Sequence, residues 1–276
     1  MSISNRFSKC DSIFVTNQHH YFMQTFKIKP DAPRVYSEEI VIRSYHVDLQ
    51  RKLTLSKLCS FFQEIAGNHT VACGVGWDVL QQEELFWVLS RLQIDVNTYP
   101  VWEDKIKINT WSNGLNGLMA IRHFQVEDEH GNELVRAISS WLMVSSKTRR
   151  LVRADEYMRD FPLNDKWLYE HAPGKIEALS NPVKMTESNV QFTETDMNFH
   201  MNNVSYIERI MNSYDFYFLL ENRIKEFEIN FLKEAVPGDI LGVGYQKSGD
   251  TTFLNNIVRV TDNNEMVRTK IEWEKV

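Results

Sequence analysis

The sequence predicts an α+β protein built from one unit used twice, a long helix wrapped by an antiparallel sheet. Three observations carry this. Asn132-Glu133-Leu134-Val135-Arg136-Ala137 runs on to Trp141, and Asn264-Glu265-Met266-Val267-Arg268-Thr269 runs on to Trp273 at the same spacing, the mark of an internal duplication. Two segments, at about 54–72 and 203–220, carry apolar stripes at helical spacing. The stretches behind each of them alternate apolar and polar residues, the period of half-buried antiparallel strands.

Taken in order, residues 1–33 have no helical or strand period, and Pro30 and Pro33 separate them from the rest of the chain. They are expected to be an extension outside the core and a candidate for disorder. The first unit is expected over 34–157. Tyr45-His46-Val47-Asp48 leads into its helix, whose buried stripe is Leu58, Phe62, Ile65, His69 and Ala72. Leu92-Gln93-Ile94-Asp95-Val96 and Lys105-Ile106-Lys107-Ile108 come next as strands, with a hairpin turn at His130-Gly131-Asn132. Pro162, Pro173 and Pro182 punctuate a polar stretch, which places a linker at 158–186. The second unit, 187–276, repeats the order. Phe192-Thr193-Glu194-Thr195-Asp196 precedes a helix with Ile207, Met211, Tyr214 and Phe218, then come Phe227-Glu228-Ile229-Asn230-Phe231 and a turn at Asp262-Asn263-Asn264.

With 276 residues, 43% of them hydrophobic, the chain is long enough to bury a substantial core. A formal charge of -6 supplies no global attraction to nucleic acid or anionic membrane, so neither is expected as a partner. Cys10, Cys59 and Cys73 are odd in number and lack Cys-x-x-Cys or His at ligand spacing. They read as reduced thiols, with neither a disulfide framework nor a metal site. No apolar run reaches the length of a membrane span and residues 1–33 lack the order of a secretory signal, so a cytoplasmic protein without stable membrane insertion is expected. The glycines, Gly74 and Gly76 among them, form no phosphate loop, and no cofactor is expected.

The chemistry is placed where the second helix begins. Asp196, Asn198 and His200 occupy alternate positions, which in an extended segment projects a carboxylate, an amide and an imidazole to one side. Behind them, the N–H groups of the helix's first turn lack intrahelical partners and can polarise a carbonyl oxygen. Plainer uses exist for each residue: Asn202 or Asn203 as the helix cap, Asp196 as a turn carboxylate, His200 as a structural histidine. The first unit has Asp48, Gln50 and Lys52 at the matching positions, so the set is not duplicated and one site per chain is expected.

Asp196-x-Asn198-x-His200-x-Asn202-Asn203-x-x-Tyr206 resembles the active-site signature of the acyl-acyl carrier protein thioesterases, whose members have two fused hotdog domains. Lys233-Glu234-Ala235, Gln63-Glu64-x-Ala66-x-Asn68-His69, Trp87-Val88 with Arg91, Tyr99-Pro100-x-Trp102-x-Asp104 and Thr148-Arg149-Arg150-Leu151 also resemble family segments, so the likeness spans about residues 36–276. It departs at Ala235, where the family has Cys, and a methyl group cannot serve as nucleophile. The resemblance implies Glu234 as base for an attacking water, or as a carboxylate nucleophile, with the base favoured. His200 would orient water or protonate the departing thiol, Asn198 would hold the carbonyl or the water, and Asp196 would fix the geometry. Backbone N–H groups near Asn202 and Asn203 would form the oxyanion site. Strand parity stands against Glu234: with Phe227, Ile229 and Phe231 facing the helix, it points to the other side unless a bulge intervenes.

The family's division of labour implies an acyl tunnel in the first unit, for which Leu58, Phe62, Gln63, Ile65, Asn68 and His69 are candidates. The carrier is acidic, so Lys147, Arg149, Arg150 and Arg153 are the candidate docking run. The expected function is hydrolysis of fatty acyl-acyl carrier protein, ending chain elongation, with a homodimer implied by the resemblance alone. Three alternatives remain open at this point: the same hydrolysis on acyl-coenzyme A, a hotdog dehydratase, and a non-catalytic acyl-binding protein.

Overall fold

The computed structural model describes residues 26–276. The first half contains β1 (Tyr36–Val41), α1 (Leu55–Ala72), α2 (Trp77–Gln82), β2 (Leu85–Val96), β3 (Lys105–Asn116), β4 (Met119–Glu127), β5 (Glu133–Ser145), β6 (Leu151–Val152) and α3 (Asp155–Met158). The second contains β7 (Val183–Asn189), α4 (Asn203–Ser213), α5 (Phe216–Glu221), β8 (Asn222–Phe231), β9 (Ile240–Lys247), β10 (Thr252–Arg259) and β11 (Asn264–Lys275). These strands form one sheet in the order β1-β3-β4-β5-β2-β8-β11-β10-β9-β7, with β6 attached to β5. Outward from the centre, β2-β5-β4-β3-β1 and β8-β11-β10-β9-β7 trace the same path, so the duplication read from Trp141 and Trp273 is a duplication of topology. The seam is the antiparallel pair β2 and β8, from Arg91 opposite Asn230 to Asp95 opposite Glu226.

α1 starts at Thr54, whose Oγ1 accepts the Lys57 N–H at 3.3 Å. It stops at Gly74, which takes the left-handed conformation (φ 85°) while its N–H donates to Val71 O and that of Val75 to Thr70 O. The stripe Leu58, Phe62, Ile65 and His69 is buried against the sheet, with Phe62 stacked on Phe124 of β4 at 4.6 Å. Burying an aromatic ring of this size contributes about 2 kcal/mol or more. The second helix differs from its expected run of 203–220. It breaks after Ser213 because Asp215 caps a new helix, its Oδ1 accepting the N–H groups of Tyr217 (2.9 Å) and Phe218 (3.0 Å).

Two boundaries also differ. The extension expected to lie outside the core covers 1–25, beyond the described residues, and 26–33, which pack into the fold. Phe26 is buried with Cys73, Val75 and Leu80, edge-on to Tyr157 at 5.0 Å, and Lys29 N–H donates to Cys73 O at 2.9 Å. The expected linker 158–186 includes the start of β7, which occupies the place in the second half that β1 has in the first. Phe161 still meets His69 of α1 at 5.4 Å, and from Asn164 on the segment crosses the other side of the sheet. Trp111 Nε1 donates to Lys166 O (2.7 Å), and Asn230 accepts the Ile176 N–H (2.8 Å) while donating to Gly174 O (3.1 Å). Among the described residues no helix is long and apolar enough to cross a membrane.

Candidate active site

Residues 196–200 form a tight turn, not the extended segment that alternate spacing suggested. A bridge between Thr195 and Met201 closes it. Asp196 Oδ1 accepts the N–H groups of Asn198 at 2.8 Å and His200 at 3.2 Å, Asp196 N–H donates to His200 O at 2.8 Å, and Phe199 has φ 61°. A short carboxylate that satisfies its neighbours' backbone donors makes such a turn more stable than extension. Asp196 thereby holds the loop, and Asn198 and His200 line the pocket above it.

Glu234 does come to this loop, and the reason is a bulge. Past the end of β8 the N–H groups of Leu232 and Lys233 both donate to Met266 O, at 2.8 and 3.2 Å. Two residues then oppose one, strand parity resets, and Glu234 turns to the face it would have missed. Ala235 anchors the bend: it is fully buried, its N–H donates to Tyr206 Oη at 2.9 Å, and its carbonyl accepts the Met201 N–H at 2.9 Å. Burial pushes the Tyr206 phenol up to about 12, so its oxygen stays protonated. Glu234 Oε2 stands 3.3 Å from His200 Nε2.

Arg149 completes the group. From the turn after β5, with φ 56°, its Nη2 donates to Glu234 Oε2 and lies 3.4 Å from His200 Nε2, while the guanidinium covers Phe86 at 5.2 Å. The candidate docking residue Arg149 thus stands at the Glu234–His200 pair. The remaining basic run is divided: Lys147 pairs with Glu84 at 3.7 Å, Arg153 with Asp155 at 2.9 Å, and Arg150 is exposed. A run of charges in sequence does not say which member a left-handed turn directs at Glu234.

The expected oxyanion donors are also divided. Asn202 is the cap of α4, its Oδ1 accepting the Val204 N–H at 3.0 Å, and its own N–H donates to Glu194 O at 2.8 Å. That leaves nothing on its backbone for a ligand. Asn203, the first residue of α4, has an N–H with no acceptor among the described residues, and its side chain donates to Gln63 Oε1 of α1 at 3.2 Å.

A cavity of about 370 Å³ adjoins the pocket, bounded by Asn198 at the loop and by Gln63, Gly67 and Asn68 on α1. Trp87 and Trp141 belong to the walls of both cavities. Of the candidate tunnel residues, Gln63 and Asn68 border this cavity, Asn68 donating to Glu38 Oε1 at 2.9 Å. Leu58, Phe62, Ile65 and His69 do not: they face the sheet, because the helix has one stripe against the core and a neighbouring one on the cavity. Burial, with the nearby Arg122, holds the His69 imidazole down to about 4.

Models of the N-terminal and C-terminal domains of acyl-ACP thioesterases match residues 33–161 and 167–275. The chain is 28% identical over 224 residues to the chloroplastic oleoyl-acyl carrier protein thioesterase 2 of Arabidopsis thaliana, covering 75% of this chain and 61% of the relative. It is 27% identical over 264 residues to the chloroplastic palmitoyl-acyl carrier protein thioesterase of the same plant, covering 87% and 64%. The chain thus spans about three fifths of the length of these curated relatives. The crystal structure of an acyl-ACP thioesterase from Bacteroides thetaiotaomicron superposes with a TM-score of 0.80 at 26% identity, over 87% of this chain and 98% of that one.

Proposed function

The chain belongs to the acyl-ACP thioesterase family, and from that premise we propose that it hydrolyses the thioester of a fatty acyl chain on acyl carrier protein, releasing free acid and carrier thiol. One observation carries the reading to this chain: the Glu234 carboxylate lies 3.3 Å from His200 Nε2 at the start of α4, beside a cavity suited to an acyl chain. A cytoplasmic location goes with the same reading, although the two plant relatives are chloroplastic by name.

In this mechanism the thioester carbonyl oxygen accepts from the free N–H of Asn203 at the positive end of α4, helped by the Asn198 amide. Glu234 takes a proton from water as its oxygen attacks the carbonyl carbon. The tetrahedral intermediate collapses with cleavage of the C–S bond, and the proton passes through His200 to the departing sulfur. Arg149 fixes the direction of Glu234 through its hydrogen bond to Oε2. Ala235 takes no part, since a buried methyl group offers no nucleophile. Arg150, exposed and in no ion pair among the described residues, is the remaining candidate for contact with an acidic carrier.

The test is thiol release from acyl-carrier substrates and the matching acyl-coenzyme A esters by wild type, Glu234→Ala and His200→Ala. Release that favours the carrier and falls about a hundredfold or more in both variants supports the proposal. Equal or greater release from coenzyme A overturns the carrier assignment. An enoyl product without free thiol, or bound acyl chain without turnover, overturns the hydrolase assignment.

A further inference from the structure

The acyl cavity has one wall residue that hydrocarbon does not explain. Arg122 lies on β4 between Ala120 and Phe124, on the side that faces α1, and is 7% exposed. It borders the same cavity as Asn198, among Ala120, Trp141, Tyr157 and Phe161. A guanidinium carries five N–H donors. Nη1 uses two, to His69 Nδ1 at 2.9 Å and Thr110 Oγ1 at 3.2 Å, while Nε and Nη2 have no acceptor among the described residues. No carboxylate among them forms an ion pair with it; Glu64 borders the cavity but is turned to solvent.

His69 does not supply the missing negative charge or share the positive one. Its Nε2 lies 2.8 Å from the Pro33 carbonyl oxygen, which can only accept, so Nε2 holds the proton and Nδ1 is the lone pair that receives Arg122. The imidazole is therefore neutral, in keeping with a pKa near 4, and Arg122, lowered by burial only to about 10, remains a cation at neutral pH. An unpaired buried charge is unfavourable, and an alkyl chain laid against it would remove the remaining water without replacing the lost hydrogen bonds. The free Nε and Nη2 edge is the fork that matches a carboxylate or accepts one oxygen between two donors.

We propose that Arg122 makes this cavity selective for acyl chains that carry an acceptor oxygen away from the thioester, a carboxylate, keto or hydroxyl group. The inference rests on the thioesterase reading and adds a substrate class to it. It is tested with acyl-carrier substrates of equal length that are unsubstituted or bear a hydroxyl, keto or carboxylate at successive carbons, using wild type, Arg122→Lys and Arg122→Leu. Wild type is expected to favour an oxygenated chain by about tenfold or more in kcat/KM, Arg122→Lys to keep part of that preference and Arg122→Leu to lose it. Calorimetric binding of the free mono- and dicarboxylic, keto and hydroxy acids to wild type reads the same selectivity without turnover, and decides the matter if Arg122→Leu does not fold. Equal or weaker hydrolysis and binding of every oxygenated chain overturns the proposal. Tighter binding of an oxygenated acid by a wild type that releases no thiol supports the selectivity and overturns the thioesterase reading instead.

Discussion

Asp48 and Asp196 hold the same turn in the two halves of the molecule. Asp48 Oδ1 accepts the N–H groups of Gln50 at 2.8 Å and Lys52 at 3.0 Å, as Asp196 Oδ1 accepts those of Asn198 at 2.8 Å and His200 at 3.2 Å. The fourth residue is left-handed in both, Arg51 with φ 64° and Phe199 with φ 61°. The turn is thus part of the duplicated scaffold, and what differs is the side chains it presents. In the first half Gln50 donates to Leu220 O at 2.9 Å and accepts from Lys52 Nζ at 3.2 Å, so both are occupied internally.

The two aspartates therefore separate stability from chemistry. Asp48→Ala and Asp196→Ala should each cost about 1–2 kcal/mol in urea unfolding, through lost charge-assisted hydrogen bonds. Only Asp196→Ala should also lower kcat, by about tenfold or more, because it lets His200 drift from Glu234. Equal activity in the two variants would contradict the positioning role.

Arg149 and Glu234 should be kinetically linked and thermodynamically minor. Their side chains are 47% and 39% exposed, so the pair contributes about 1 kcal/mol or less. Arg149→Met should leave the melting temperature nearly unchanged while reducing kcat, and adding it to Glu234→Gln should bring little further loss. Fully multiplicative losses in a double-mutant cycle would mean that the two groups act independently.

Introducing a thiol at position 235 should not raise thioester cleavage. The Ala235 position is sealed beneath the Tyr206 hydroxyl, so Ala235→Cys should leave thiol release within about threefold of wild type, and the introduced cysteine should resist alkylation. Rapid labelling of that variant at its introduced thiol, with matching inactivation, would show that the side chain reaches the substrate.

Acid should weaken the fold through two histidines. Burial pushes both His69 and His123 down to about 4 from an ordinary 6.5, and neither ring nitrogen of His123 has a hydrogen-bond partner among the described residues. Between these values the unfolded chain binds protons that the folded one refuses. Stability is then complete above pH 6.5, declines as pH falls toward 4, and loses at most about 3 kcal/mol per histidine. His123→Phe keeps the packing against Trp111 and should flatten this decline in urea midpoints between about pH 7 and 4. An unchanged slope would count against the neutral buried imidazole.

Much of the site was legible because its parts are local. Asp196, Asn198 and His200 lie within one turn, and Asn202 announces the helix by its residue type. Glu234 was nameable only from the resemblance, and its direction depended on a bulge that two N–H groups make against Met266, a residue of another strand. Arg149 was visible as a charge, but its target lies 85 positions away. Arg122 carried no signal beyond being a charge within an alternating strand.

The duplication, the helix-and-sheet unit, the Asn cap of α4 and the hairpin turns at 130–132 and 262–264 could be read from local residue patterns, since periodicity and side-chain competition for nearby backbone groups act over a few residues. It took the packing of the whole chain to bring Phe26 into the core, to lay the connecting segment across the sheet, to set Arg149 against Glu234 and to put Arg122 on the wall of the cavity beside α1. Those outcomes depend on how strands far apart in the chain register against one another, and no local pattern of residues encodes that register alone.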